Sequence, residues 1–185
     1  MEAGAEKIVK ETVESGAAVV TKEVAETGAE TAAKEGADRA VLAVGEKIDK
    51  SGFAEYVDEI EKITNREILP QQKELLEKAL KENDFGKLSK EAQQAAKKEY
   101  KSKRMDLIQM WEEKTGTEWP RYTEDVFNEA GDVLRTANQP YDAHHIIELS
   151  TGGPNEWWNL HPARFPSEHQ NGIHAAGSWA KKIFG

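Results

Sequence analysis

All five histidines of the chain lie in one segment near its C-terminal end, which runs from residue 142 to residue 174. They are His144, His145, His161, His169 and His174. Histidine is the commonest metal ligand, and its unperturbed pKa lies close to neutral pH. A His-His pair followed by Asn159 and by two further histidines does not match a packing periodicity. The pattern therefore indicates a small module built around a hydrolytic site with one metal ion.

Local signals in this segment predict the order strand, turn, strand, helix. The alternation of β-branched and polar residues after His145 indicates a short strand, and Thr-Gly-Gly-Pro-Asn at 151–155 is a strong turn signal. Residues 157–162 suit a second extended piece that Pro162 ends, and Pro166 can begin a helix. That helix would carry the last two histidines of the chain.

The adjacent pair His144 and His145 suggests a division of work. Neighbouring residues of a strand point to opposite faces, so one imidazole can bind a metal ion while the other faces the substrate. Hydrolysis of a phosphodiester needs both roles, because water must lose a proton and the charge that develops on the phosphate must be stabilised. Asn159 can orient the base by accepting a hydrogen bond from its second ring nitrogen.

The spacing of the last two histidines fits an α-helix poorly. His169 and His174 are five residues apart, which turns one side chain about 140° from the other on an ideal α-helix. Gly172 lies between them and can distort or end the helix, so that His174 turns toward the same ion. His161 keeps two interpretations, a structural residue or a contributor to the same cleft.

Composition restricts the class of protein and the chemistry of its site. Charged residues make up 32% of the chain, and no apolar run approaches the ~20 residues that span a membrane. No basic segment followed by an apolar block opens the sequence, so no classical signal peptide is predicted. Because the chain has no cysteine, any metal must be bound by His, Asp, Glu or Asn. The net charge of -9 argues mildly against a general nucleic-acid binder.

The part of the chain before residue 111 is predicted to be helical. Residues 1–52 are rich in Ala, Glu and Gly and are predicted to form a helical or flexible linker region. Residues 53–110 show apolar spacing typical of helices and are predicted to form a helical region, with a break at Pro70 and a new helix beginning near Ser89. Gly116 is suited to end that helix as a left-handed cap.

The third predicted helix carries a basic cluster. Its members are Lys97, Lys98, Lys101, Lys103 and Arg104. The cluster either contacts phosphates or forms a solvated face, since Glu91, Glu99 and Asp106 dilute its charge.

Four motifs of the histidine segment carry a resemblance to a known family. They are Asp-Ala-His-His-Ile-Ile (142–147), Gly-Gly-Pro-Asn (152–155), Trp-Trp-Asn-Leu-His-Pro (157–162) and His-Gln-Asn-Gly-Ile-His (169–174). They resemble HNH nucleases of the ββα-metal (His-Me finger) class, and among these the AHH-type, endonuclease VII-like domains of bacterial polymorphic toxins. Residues 111–120 also resemble the lead-in of such domains, so the resemblance covers roughly 111–185.

The resemblance implies a fold and a set of residue roles. The fold would be mainly α with a small C-terminal α+β module, that is, a helical N-terminal region followed by a ββα-metal (HNH) nuclease domain at 111–185. The implied metal ligands are His144, His169 and His174. The implied catalytic residues are His145 as general base, Asn159 as the residue that positions it, and Asp142 as an acidic support. Candidates for phosphate contact are Arg135 and Arg164. Glu148 departs from the family, in which many members have Pro, and the five-residue spacing of the last two histidines is also unusual.

The implied activity is endonuclease cleavage of DNA, with little sequence preference, by a domain that holds one Mg²⁺, Mn²⁺, Zn²⁺ or Ni²⁺ ion. Such toxins are delivered by a dedicated secretion system, act in the cytoplasm of the target cell and are neutralised by a cognate immunity protein. The sequence leaves open RNA as a substrate and a phage or restriction-type HNH endonuclease as the biological setting. It also leaves open a structural metal module that binds nucleic acid without cleaving it.

Overall fold

The structure is a computed structural model that describes residues 43–185. Most of the segment 1–52, predicted to be helical or flexible, therefore lies outside the described residues. Its described end contains a strand, β1 (Ala43–Lys47), which pairs antiparallel with β2 (Gly86–Leu88). A single 3₁₀ turn at Lys50–Gly52 connects β1 to the first helix.

Two helices follow, and their limits agree with the sequence signals. Helix α1 (Phe53–Thr64) buries one apolar face and ends at Asn65, whose φ of 50° is left-handed. Helix α2 (Pro70–Glu82) begins at the proline that was expected to separate the two. Proline is tolerated at this first position because the amide there has no partner within the helix.

The longest element is α3 (Lys90–Thr115). The Ser89 side chain accepts a hydrogen bond from the Ala92 amide and caps the start of the helix. Gly116, with a φ of 66°, ends it in the left-handed conformation that glycine adopts without strain. Both ends agree with the prediction from sequence.

The C-terminal part contains two short antiparallel pairs of strands. Strands β3 (Val126–Phe127) and β4 (Val133–Arg135) form the first pair, and β5 (Asp142–His145) and β6 (Leu160–Ala163) form the second. In the second pair the register places His144 opposite His161.

Strand β5 ends earlier, and β6 begins later, than the sequence predicted. Residues 157–159 form a 3₁₀ turn instead of extended chain. The side chain of Asn159 bonds the backbone of Ile147 through both its oxygen and its nitrogen. These two bonds satisfy the Ile147 amide and carbonyl, which a longer pair of strands would satisfy with backbone groups. A second 3₁₀ turn lies at Leu149–Thr151.

After β6 the chain forms one π-helical turn at His169–Ile173 and a final short helix, α4 (Trp179–Phe184). The β5–β6 hairpin and the π turn together form the part of the fold that we call the histidine module, residues 142–174. Helices α1 and α2 pack behind it, and α3 packs along its side.

One hydrophobic core joins these elements. Its buried side chains come from α1, α2, α3, the histidine module and α4, and they include Tyr56, Ile60, Leu76, Ile146 and Ile173. The residues of 53–110 and of 111–185 thus share the same interior. Roughly half of the described residues are helical, and the fold is a mixed α+β fold. Within residues 43–185, no helix has the length and apolar character needed to cross a bilayer.

Candidate metal centre

Three imidazoles converge in the histidine module. One ring nitrogen from each of His144, His169 and His174 can be chosen so that all three lie within 4.8 Å of one another. The ring centres are 5.0 to 5.4 Å apart. Two nitrogens bound to one ion at about 2.1 Å are at most about 4.2 Å apart, so small ring rotations would close the set around an ion. These are the residues for which the sequence resemblance implied ligation, and they could bind a metal ion.

The π turn explains how the five-residue spacing is accommodated. The His174 amide donates to the His169 carbonyl at 3.0 Å, and the Ile173 amide donates to the Glu168 carbonyl at 2.8 Å. A hydrogen bond between residues five apart stacks those residues on one side of the helix. The wider turn therefore places both imidazoles on the same side, which an α-helix would not do.

Electrostatics keeps these imidazoles neutral. Burial lowers the pKa of His144 well below its usual value, and the neighbouring His169 and His174 lower it further. Burial, followed by the proximity of His174, lowers the pKa of His169 to about 4. Burial also lowers the pKa of His174, although the carboxylate of Glu148 opposes this. A neutral imidazole has a free lone pair, which is the form that binds a metal.

Two of the three rings have a polar partner on the outer side. The Nε2 atom of His144 lies 2.6 Å from the Tyr56 hydroxyl, and burial raises the pKa of Tyr56, so this phenol stays neutral. The Nδ1 atom of His174 lies 3.5 Å from a carboxylate oxygen of Glu148. The other oxygen of Glu148 accepts a hydrogen bond from Ser150. Outer partners of this kind fix which ring nitrogen faces an ion.

His145 lies beside the three rings but belongs to another environment. It follows His144 on β5, and its ring packs edge-on against Tyr100 of α3 with centroids 4.7 Å apart. Its Nε2 atom is 3.1 Å from the side-chain oxygen of Asn155. The residue is 8% exposed. The strand thus separates the two neighbouring histidines onto different faces, as expected from the alternation of side chains.

The side-chain amide of Asn159 forms hydrogen bonds to backbone groups of the hairpin. Its side-chain oxygen accepts from the Ile147 amide at 2.7 Å, and its nitrogen donates to the carbonyls of Ile147 at 3.0 Å and Pro154 at 2.9 Å. The residue therefore holds the backbone that follows His145, while the side-chain oxygen of Asn155 lies within hydrogen-bond distance of the His145 ring.

The expected acidic and basic residues largely bind one another. Arg135 donates two hydrogen bonds to the carboxylate of Asp142, at 2.7 and 2.5 Å, and lies over the ring of Phe165. Its guanidinium is thus committed to a partly buried ion pair. Arg164 is more exposed, and its guanidinium lies 3.6 Å from Glu124.

His161 is a buried neutral residue that forms a hydrogen bond with the Thr64 side chain. Its Nε2 atom lies 2.8 Å from the Thr64 hydroxyl, which donates its own proton to the Ile60 carbonyl. The imidazole must therefore be the donor to Thr64. Its Nδ1 atom has no hydrogen-bond partner among the described residues. Burial, with a smaller effect of Arg66, lowers the pKa of His161 to about 3. These contacts favour the structural interpretation of His161.

Sequence reasoning assigned no role to four polar residues that contact these histidines. Tyr56 and Thr64 belong to α1 and lie 88 and 97 positions from the histidines they contact, so no local pattern links them. Asn155 is the last residue of the Gly-Gly-Pro-Asn motif, and no role was predicted for it. Glu148 differs from the Pro found in many of the HNH nucleases that this segment resembles, and its carboxylate lies 3.5 Å from Nδ1 of His174.

Known proteins similar to this chain include a toxin and a nuclease. No protein-family model matches the chain. It is 41% identical over 139 residues to toxin YxiD of Bacillus subtilis (strain 168), across 75% of this chain and 24% of YxiD. It is 35% identical over 72 residues to the probable deoxyribonuclease RhsB of Dickeya dadantii (strain 3937), across 39% of this chain and 4% of RhsB. The chain thus spans about a quarter or less of these relatives. Their names support a relationship to nuclease toxins.

Proposed function

We propose that the chain is a metal-dependent HNH endonuclease that hydrolyses phosphodiester bonds of DNA with little sequence preference and acts as an antibacterial toxin effector. The observation that carries this proposal is the meeting of His144, His169 and His174 around one point, with His145 next in sequence on the opposite face of the strand. The similarity to YxiD and RhsB supports both the toxin and the DNase parts.

In this proposal His144, His169 and His174 hold one divalent ion. Three imidazoles favour a transition metal such as Zn²⁺, Ni²⁺ or Mn²⁺ for binding, and Mg²⁺ remains a candidate for turnover. The ion would stabilise the negative charge that develops on the phosphate and on the leaving oxygen. Tyr56 and Glu148 orient two of the rings from outside.

His145 acts as the general base that removes a proton from the attacking water. Asn155 bonds one nitrogen of its ring, and Asn159 fixes the backbone after it, so both are positioning residues. Asp142 acts through its ion pair with Arg135, which holds the start of β5. Arg164 is the more accessible of the two arginines proposed to contact phosphate.

The name of the relative YxiD supports a toxin as the biological setting. We propose delivery by a dedicated secretion system, action in the cytoplasm of the target cell, and neutralisation by a cognate immunity protein that covers the site.

The decisive experiment compares wild type with two variants on supercoiled plasmid DNA. We expect wild type to nick and degrade the plasmid only with a divalent metal. His145→Ala should abolish cleavage but bind metal like wild type in calorimetry, because the residue is a base and not a ligand. His169→Ala should lose both plasmid cleavage and metal binding, because this residue is a proposed ligand. Cleavage retained by His145→Ala would refute the base assignment.

The same preparations separate the alternatives. An intact plasmid after long incubation of wild type with Mg²⁺, Mn²⁺, Zn²⁺ and Ni²⁺ would favour a structural metal module. Expression of wild type in bacteria without an immunity partner should kill the cells, with loss of nucleoid DNA, while His145→Ala should be tolerated. Normal growth of cells that make active, soluble wild type would favour a phage or restriction-type enzyme over a toxin.

A further inference from the structure

One flank of α3 is basic along more than half of its length. The flank consists of Lys90, Gln94, Lys97, Lys101 and Arg104, and we call it the basic stripe. The intervals of four, three, four and three residues keep these positions on one side of an α-helix. Four of the five acidic residues of the same helix fall outside this spacing, namely Glu91, Glu99, Asp106 and Glu113. The fifth, Glu112, lies on this flank two turns beyond Arg104 and accepts a hydrogen bond from the Trp119 amide. The dilution of charge that is evident along the sequence is therefore much weaker on this flank.

The basic stripe adjoins the proposed catalytic base. The carbonyl of Ala96, one residue before Lys97, accepts a hydrogen bond from Asn155, which itself bonds His145. Tyr100, one residue before Lys101, packs on the His145 ring. At the other end, Arg104 donates to the Tyr141 carbonyl just before β5. The stripe thus runs past the point where water would be activated.

The lysines of the stripe are uncompensated. Lys90, Lys97 and Lys101 are exposed, and no carboxylate within residues 43–185 forms an ion pair with them. By contrast, Lys103 lies on the other flank and binds Glu99 at 2.9 Å. A chain with a net charge of -9 thus has a line of free positive charge beside its proposed catalytic residue. Folding alone gives no reason to keep like charges this close, because their repulsion destabilises a helix.

We infer that the basic stripe binds the phosphates of one DNA strand and leads that strand to His145. This inference rests on the proposed nuclease function. From Lys90 to Arg104 the helix rises about 21 Å, which matches the axial length of about six nucleotides of one strand. Flexible lysines contact phosphates without reading bases, as a nuclease with little sequence preference requires. An acidic protein is the competing occupant, but the line of charges along the helix and its adjacency to the base favour a nucleic-acid backbone.

The test pairs Lys97→Ala/Lys101→Ala with the control Lys78→Ala/Lys81→Ala. The control removes the same charge from exposed positions of α2, and alanine preserves both helices. Binding to a short DNA duplex is measured by fluorescence anisotropy with a chelator present, over a series of salt concentrations. Plasmid cleavage is measured separately with metal.

Two phosphate contacts contribute about 1.8 to the slope of log affinity against log salt concentration. We expect the stripe variant to lose about that much of the slope and to cleave plasmid more slowly, while its metal affinity stays unchanged. The control should match wild type in all three measurements. A stripe variant with wild-type DNA affinity and salt slope would overturn the inference. The inference would also be overturned if the variant kept its DNA affinity and lost affinity only for an acidic protein.

The two proposals fail in different ways. If wild type cleaves DNA and the stripe variant binds and cleaves equally well, only the stripe inference is overturned. If wild type binds DNA with the stripe-dependent slope but never cleaves it, DNA binding by the stripe holds, whereas the nuclease proposal and the delivery of a strand to His145 are overturned.

Discussion

Tyr56 shows how a single buried residue can determine which ring nitrogen is available in the candidate metal centre. Its hydroxyl lies 2.6 Å from Nε2 of His144, which leaves Nδ1 as the atom free to bind an ion. In that state Nε2 carries the proton and donates it to the phenol oxygen. Because burial keeps the phenol neutral, it does not compete as an anionic ligand.

Tyr56→Phe should therefore weaken metal binding without unfolding the protein. The ring keeps its edge contacts with Phe53 and Phe184, and only the hydroxyl is lost. Loss of an outer partner of a ligating histidine lowers metal affinity about 10- to 100-fold, which calorimetry with Ni²⁺ or Zn²⁺ would measure.

Unfolding of the metal-free variant by urea serves as the control for Tyr56→Phe, with an expected change of about 1 kcal/mol, typical of one hydrogen bond. A variant that loses this stability but binds metal like wild type would show that Tyr56 only supports the fold.

The π turn is the element on which the site depends most. A regular α-helix over the same residues would direct His169 and His174 apart, whereas the π turn brings their rings to 5.0 Å. The turn also lies close against α1. A Cβ atom added at Gly172 would lie 2.6 Å from Cγ2 of Ile63 and 3.2 Å from the Ser167 carbonyl oxygen. Glycine thus allows the turn to approach α1.

Gly172→Ala should displace the turn and cost about 1–3 kcal/mol of stability, as overpacking typically does. Metal affinity should fall with it, because two of the three rings move. Urea unfolding and metal titration would measure both effects.

The double variant Ile63→Ala/Gly172→Ala tests the stated cause. Removing the Ile63 side chain makes room for the new methyl group, so the double variant should be less destabilised than the sum of the two single variants. Strict additivity would show that the contact with Ile63 is not the reason for glycine at this position.

Across residues 43–185, the helices and the histidine module share one hydrophobic core and are also joined by polar contacts. Gln72 of α2 donates to the carbonyls of Trp158 and Leu160, and Thr64 of α1 binds His161. Arg66, just after α1, also forms an ion pair with Glu168. The helical region thus supplies polar partners that hold the hairpin in place, as well as apolar surface.

This junction should make the fold sensitive to acid. His161 has a pKa of about 3 in the folded state, against 6.5 as its ordinary value. Between these two pH values this residue is therefore protonated in the unfolded chain and neutral in the folded chain. Its contribution to stability is therefore complete above about pH 6.5 and is lost as the pH falls toward 3. The loss amounts to roughly 1.4 kcal/mol per pH unit between these limits.

His161→Gln isolates this contribution, because the glutamine amide can still donate to Thr64 but cannot be protonated. With a chelator present, the free energy of unfolding in urea should fall less steeply between pH 6.5 and 4.5 for the variant than for wild type. His144 and His169 contribute to the acid sensitivity of both proteins, so only the difference matters. Equal slopes would contradict the buried, neutral state of His161.

The order of the first three helices was already predicted from the sequence, whereas strands β1 to β4 were not. Apolar spacing, Pro70, Ser89 and Gly116 predicted where α1 to α3 begin and end, because caps and periodicity act over a few residues. The sequence also singled out the histidines that the fold brings together. Local signals did not predict the π turn. Apolar spacing and capping residues do not distinguish backbone hydrogen bonds between residues five apart from the usual bonds between residues four apart.

The surroundings of those histidines depend on long-range packing, which local sequence signals do not specify. The hydrogen bonds of Tyr56 with His144 and of Thr64 with His161 join residues that are far apart in the chain. Such contacts produce no periodic pattern in the sequence. The hydrogen bonds of Asn159 to the backbone of Ile147 and of Asn155 to the His145 ring are likewise contacts that only the folded chain provides. Residue type thus determined what chemistry was possible, and long-range packing determined which atoms face one another, because a hydrogen-bond partner is selected by distance in space.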